Sequence, residues 1–108
     1  YAAPEVLDNI AFEPLRADIY SLGSMLFTML FGHPIYDLDN QNGKVAMRYA
    51  TSGIKGVKQL LRAYGYTSGN PKTPSIEAVD LIGQLLQRDP SSRPTLEDIE
   101  KHPWIREI

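Results

Sequence analysis

The chain has 108 residues, 43% hydrophobic, 9% aromatic and 22% charged, the make-up of one ordinary small globular domain. Eleven Lys and Arg against thirteen Asp and Glu give a formal net charge of −2, which excludes charge-driven disorder and lacks the basic excess of phosphate-backbone binders. There is no cysteine and no apolar run of the roughly eighteen residues a membrane span needs. A disulfide framework, a thiolate metal site and a Cys nucleophile are thereby excluded.

The chain opens at Tyr1, with no initiator Met and no signal-type apolar stretch, and Pro4 and Glu5 follow at once. The expectation is a piece of a longer protein. Pro4-Glu5-Val6-Leu7 reads as a short helical turn, with proline where a helix needs no N–H and an acid at the positive helix end. Residues 8–15 read as a loop, with Asn9 and Pro14 as breakers. The strongest helix is expected over residues 16–31, on the order of 24 Å long. Its Ile19, Tyr20, Leu22, Met25, Leu26, Phe27, Met29, Leu30 and Phe31 cover nearly every side, which suits the inside of a larger body. Gly23 and Ser24 leave room for a close backbone, and Gly32 ahead of His33-Pro34 is a stop signal.

From Asn40 to Pro74 the sequence carries Lys44, Arg48, Lys55, Lys58, Arg62 and Lys72 and no acid. Helices are expected over 44–51 and over 56–64, the second with Val57, Leu60, Leu61 and Tyr64 on one face. This basic stretch reads as a solvated face or a docking surface for an acidic partner rather than a nucleic-acid site, because its charges are spread out with few interleaved aromatics. Ser75 then reads as an N-cap with Glu77 in the first turn. Ile76, Val79, Leu81, Ile82, Leu85 and Leu86 give a broad apolar face, and Asp89-Pro90 ends the helix just after Arg88. Thr95 and Asp98 have capping-box spacing for a last helix ending at His102-Pro103, with Trp104 and Ile105 as apolar anchors. No segment alternates with period two, so the reading is all-α.

Chemistry-bearing residues are few. His33 and His102, the only histidines, both precede proline and read as helix-terminus residues rather than ligands or general bases. None of the eight glycines has phosphate-cradling spacing.

Three features combine in order. Tyr1-Ala2-Ala3-Pro4-Glu5 contains Ala-Pro-Glu. Asp18-Ile19-Tyr20-Ser21-Leu22-Gly23 opens the long helix. Ala78-Val79-Asp80-Leu81-Ile82, Leu85-Leu86, Asp89-Pro90, Arg93-Pro94-Thr95 and His102-Pro103-Trp104-Ile105 close the chain. The first resembles the end of a protein-kinase activation segment. The second resembles the opening of the kinase F helix, with tyrosine where tryptophan is commoner, and the third resembles the H and I helices. The likeness is to the eukaryotic-type protein kinase family, on its serine/threonine side, and covers essentially residues 1–108, most weakly between Asp39 and Lys72.

The resemblance implies the distal, all-α portion of the C-terminal lobe of an α+β kinase fold, with the N-lobe and catalytic loop absent from the chain. It implies that Glu5 pairs with Arg93, tying the end of the activation segment to the base of the lobe. Asp18 would hold the catalytic loop through its backbone N–H groups, beside a plainer role as first-turn acid. Tyr1 and Ala2 resemble the floor of a substrate pocket, or a turn that merely packs under the lobe. Asp37 and Asp39 lie where some kinases read basic substrate residues, or form a solvated acidic loop.

ATP and Mg²⁺ are implied for the intact parent. The chain itself holds no H-R-D, no D-F-G and no glycine-rich loop, so no catalytic, cofactor or metal residue is expected in it, nor activity from it alone. A protein substrate, an intracellular location (cytoplasmic or nuclear) and a docking or regulatory protein at the basic middle complete the expectation. The alternative is a pseudokinase-type interaction module without catalysis.

Overall fold

A computed structural model describes residues 2–9, 11–32, 35, 43–66 and 69–106, the side chains of 43–45 apart. Among them it holds seven α-helices, one 3₁₀ turn and no strand. The helices are α1 (Pro4–Leu7), α2 (Pro14–Phe31), α3 (Gly43–Ala50), α4 (Gly53–Ala63), α5 (Ile76–Leu85), α6 (Leu96–Lys101) and α7 (Pro103–Arg106), with the 3₁₀ turn at Pro90–Ser92 between α5 and α6.

Most boundaries follow from local chemistry. Pro14 begins α2 instead of breaking the chain, because its missing N–H falls at the first helical position, where no intrahelical partner exists. Asp18 therefore sits in the second turn, and its expected role as a first-turn acid is not realised. Gly32 ends α2 in the left-handed conformation at φ +77°, its N–H donating to the Thr28 carbonyl. Ser75 Oγ accepts from the Ala78 N–H at 3.2 Å. Thr95 and Asp98 form a reciprocal capping box, both bonds 3.1 Å. Asp89 caps the 3₁₀ turn through the Ser91 N–H at 3.0 Å.

The helix expected to run to Arg88 stops at Leu85. Tertiary bonds divert the backbone beyond it: the Arg88 N–H donates to the Thr51 carbonyl at 3.1 Å, and the Gln87 carbonyl accepts from Arg93 Nε at 2.7 Å. Pro103–Arg106 is a helical turn rather than a bare pair of apolar anchors, since Pro103 suits a first helical position as Pro14 does.

The core lies on two sides of α5. On one side Val79, Ile82 and Leu86 pack with Tyr20 and Phe27 of α2 and Val57, Leu60 and Leu61 of α4. On the other, Leu81 and Leu85 pack with Ile19, Ile99 and the partly buried Trp104 and Ile105. Each fully buried large apolar side chain contributes on the order of 1.5–3 kcal/mol. Two glycines set how closely helices approach. A Cβ on Gly23 would lie 2.7 Å from Leu85 Cβ, and one on Gly83 would lie 2.9 Å from the Ile54 Cα. The room expected at Gly23 is thus taken by α5, and Gly83 admits the start of α4.

The all-round apolar α2 buries only one face here. Ile19, Tyr20, Gly23 and Phe27 are buried, whereas Leu15, Met25, Met29 and Leu30 are exposed. Among the described residues no helix is long and apolar enough to cross a membrane.

Candidate functional site

Arg93 organises the site. It leaves the 3₁₀ turn in extended conformation and its side chain is 0% exposed. A guanidinium has five N–H donors in a planar fork, and every one has an acceptor. Nη1 donates to Glu5 Oε2 at 2.7 Å and to the Arg16 carbonyl at 2.8 Å. Nη2 donates to Glu5 Oε1 at 2.9 Å and to the Arg88 carbonyl at 3.2 Å. Nε donates to the Gln87 carbonyl at 2.7 Å. The guanidinium carbon lies 5.1 Å from the centre of the buried Tyr20 ring, within cation–π range.

Glu5 enters from α1, where Pro4 starts the helix and the acid faces inward. Its side chain is 7% exposed and meets Arg93 through two parallel bonds, the strong bidentate form of a carboxylate–guanidinium pair. The hydrogen bond from Arg93 holds the Glu5 carboxyl below its ordinary pKa, against the opposing effect of burial. Arg16 closes the arrangement in the other direction, its Nη1 donating to the Arg93 carbonyl at 2.9 Å. Three segments far apart in sequence, α1, the start of α2 and the α5–α6 connection, are thereby joined at one buried point. Nearer the surface, Arg88 reaches Asp8 at 3.5 Å with both side chains at least half exposed, a contact of little energetic weight.

The other sequence-nominated residues are placed differently. Asp18 is exposed on α2, and its carboxylate has no hydrogen bond among the described residues. Ala2 is exposed ahead of α1. Tyr1, Asp37, Asp39 and His33 lie outside the described residues. Of the basic stretch, Arg48, Lys55, Lys58, Arg62 and Lys72 are all exposed, and the side chain of Lys44 lies outside the described ones. His102 is the C-cap of α6 and is buried; its Nε2 meets Asp80 Oδ2 at 2.7 Å while Nδ1 accepts the Trp104 N–H at 3.1 Å. Nδ1 is an acceptor there, so Nε2 carries the proton toward Asp80. Among the described residues no three His, Cys, Asp or Glu side chains gather as metal ligands do.

Sequence reasoning nominated Glu5 and Arg93 but missed Arg16, Tyr20 and the carbonyls of Gln87 and Arg88. Backbone carbonyls carry no sequence signature. Arg16 and Tyr20, four apart and so on one helix face, were the available hint.

The model of the protein kinase domain matches residues 1–105. The chain belongs to the protein kinase family. It is 36% identical over 108 residues to a human SNF-related serine/threonine-protein kinase, covering all of this chain and 12% of that protein. It is 34% identical over 107 residues to cattle Tribbles homolog 2, covering 97% of this chain and 26% of that protein. With a mouse testis-specific serine/threonine-protein kinase 2 the identity is 32% over 106 residues, 98% of this chain and 26% of that protein. The chain thus spans between about an eighth and a quarter of the length of these relatives.

Proposed function

We propose that residues 1–108 are the distal part of the C-terminal lobe of a serine/threonine protein kinase, and that they anchor the end of the activation segment and form part of the protein-substrate platform. The buried Glu5–Arg93 pair carries this reading. A carboxylate just after Ala2-Ala3-Pro4 is held by five-donor saturation of one arginine, so the segment that ends at Glu5 has one position relative to α2 and α5. A loop leading into α1 would inherit that position, which is what alignment of a protein substrate requires.

In this reading Tyr1, Ala2, Asp37 and Asp39 belong to the protein-substrate platform. Asp18, its carboxylate on the exposed side of α2 and without a hydrogen bond among the described residues, accepts backbone N–H bonds from the catalytic loop. ATP and Mg²⁺ belong to residues of the parent outside this chain. The chain has no glycine-rich phosphate loop and neither of the H-R-D and D-F-G motifs that hold nucleotide and metal, so its own residues do not fit that group. The parent transfers a phosphoryl group to protein Ser or Thr hydroxyls, is intracellular (cytoplasmic or nuclear) and uses the basic middle of this chain to dock a protein partner rather than a nucleic acid.

The test is phosphoryl transfer by the full-length protein from labelled ATP to a serine- and threonine-containing protein, with phosphoamino-acid analysis. Phosphoserine or phosphothreonine that diminishes in the Arg93→Ala variant supports the reading. A well-folded full-length protein that transfers nothing overturns it in favour of a pseudokinase-type interaction module.

A further inference from the structure

Helices α4 and α5 pack side by side, but a groove of about 510 Å³ opens along one edge of their contact. That volume lies in the range of ordinary ligand and side-chain pockets. Its wall is mainly apolar: Leu61 from α4, Val79 and Ile76 from α5, and Pro74 from the connection between them, with the hydroxyl-bearing Tyr66 and Thr73 beside them. Ile76 is 76% exposed, a large aliphatic side chain left in water at the groove's mouth. Lys58 and Arg62 also line the groove, one helical turn apart on α4 and therefore on the same face. Both are exposed, and neither belongs to an ion pair among the described residues. Among the described residues no carboxylate lines the groove, and the sequence supplies none between Asn40 and Pro74. A mainly apolar slot whose charges, among the described residues, are two cations outside any ion pair is complementary to a ligand that is acidic and carries an apolar side chain.

We propose that the α4–α5 groove docks an acidic peptide segment of a partner protein, seating one apolar side chain on Leu61, Val79 and Ile76 and placing carboxylates against Lys58 and Arg62. The inference rests on the reading that the basic middle of the chain docks a protein, and it is independent of phosphoryl transfer. The apolar anchor supplies most of the affinity, because exposed ion pairs contribute little each. The two cations select the partner and speed its encounter, with the salt dependence that implies.

The experiment selects random short peptides displayed on phage against the immobilised full-length protein, then measures the enriched peptides by fluorescence anisotropy. Acidic peptides with one apolar residue should be enriched. Lys58→Glu/Arg62→Glu should weaken them at least about ten-fold, and Ile76→Ser several-fold. All three positions are exposed, so these variants should fold, and an unchanged far-UV spectrum checks it. Binding of acidic peptides that is weakened by salt and by Arg48→Glu/Lys55→Glu, but not by the groove variants, overturns the groove while leaving the docking reading intact. Enrichment of neutral or basic peptides, or no enrichment at all, overturns both. A full-length protein that enriches no peptide but dimerises, and loses the dimer with Lys58→Glu/Arg62→Glu, gives the groove to a second copy and equally overturns the proposal.

Discussion

Removing Arg93 should do more damage than its position in a connecting segment suggests. Arg93→Ala deletes two charge-assisted bonds to Glu5, each contributing about 1.5–3 kcal/mol, and leaves a carboxylate 7% exposed with no counter-charge. A buried pair broken on one side costs about 3–5 kcal/mol. The carbonyls of Arg16, Gln87 and Arg88 also lose their donor, which adds to the cost unless water enters. Glu5→Ala should cost less, about 3 kcal/mol, because the stranded guanidinium keeps those three backbone acceptors. In a domain of kinase size each kcal/mol moves Tm by about 2–4 °C, so Arg93→Ala should lower the Tm of the full-length protein's kinase domain by roughly 10 °C. The double variant removes both charges together and should cost less than the sum of the two single changes. Calorimetric Tm values for the four proteins complete the cycle. If each single variant keeps the wild-type Tm, or if the two costs simply add, the pair does not couple α1 to the α5–α6 connection and the reasoning is wrong.

Other expectations follow from the same geometry. Because Arg93 lowers the folded-state pKa of Glu5 from its ordinary 4.5, the pair's stabilisation is complete above about pH 4.5 and is lost as pH falls through the lowered folded value; Glu5→Gln should flatten this acid limb of Tm against pH. Burial, with the neighbouring Tyr66 adding to it, pushes the Tyr64 phenol up to about 12, so alkali should destabilise the fold between about pH 10 and 12, and Tyr64→Phe should remove a step near pH 12 from the tyrosinate absorbance titration. Gly83→Ala places a Cβ 2.9 Å from the Ile54 backbone and should cost about 1–3 kcal/mol by separating α4 from α5, visible as a lowered denaturation midpoint. Thr95→Ala loses one half of the capping box and should cost about 1 kcal/mol, while Thr95→Ser should recover most of it.

What could be read from the sequence divides along physical lines. The signals of α2, α5 and α6 are local: stop residues, N-caps and apolar periodicity act within one or two turns, and Gly32, Ser75 and the Thr95–Asp98 box perform the chemistry their types and spacing suggest. Pro14 was misread because proline both breaks helices and begins them, and only the position of the preceding turn decides which. The end of α5 was misplaced for a different reason. Leu86, Gln87 and Arg88 have ample helix propensity, but the Gln87 and Arg88 backbone is claimed by Arg93 and Thr51 from elsewhere in the chain. Tertiary bonds outweigh propensities of a few tenths of a kcal/mol per residue. The α4–α5 groove could not be foreseen at all, since it arises from two helices meeting and neither sequence segment contains it.

The Arg93 centre shows why the order of motifs along this chain was more informative than any one of them. Ala-Pro-Glu alone places no constraint on a residue 88 positions away. A guanidinium buried at 0% exposure imposes a strict one, because its charge and all five donors must be satisfied together or the region is better filled by apolar side chains. Glu5 satisfies the charge and two donors, and carbonyls from α2 and from the residues just after α5 satisfy the other three. A one-residue insertion after Leu86 or a shift in the start of α2 would misplace an acceptor and leave a buried donor unpaired, at about 1–3 kcal/mol. The spacing from Asp89-Pro90 to Arg93 and the start of α2 at Pro14 are therefore coupled to the identity of residue 5. Inserting one alanine between Gln87 and Arg88 should thus lower Tm, though by less than Arg93→Ala does because the bonds to Glu5 remain, and combining it with Arg93→Ala should add little. Full additivity of the two would mean that the arginine's donors do not depend on the register of the backbone around them.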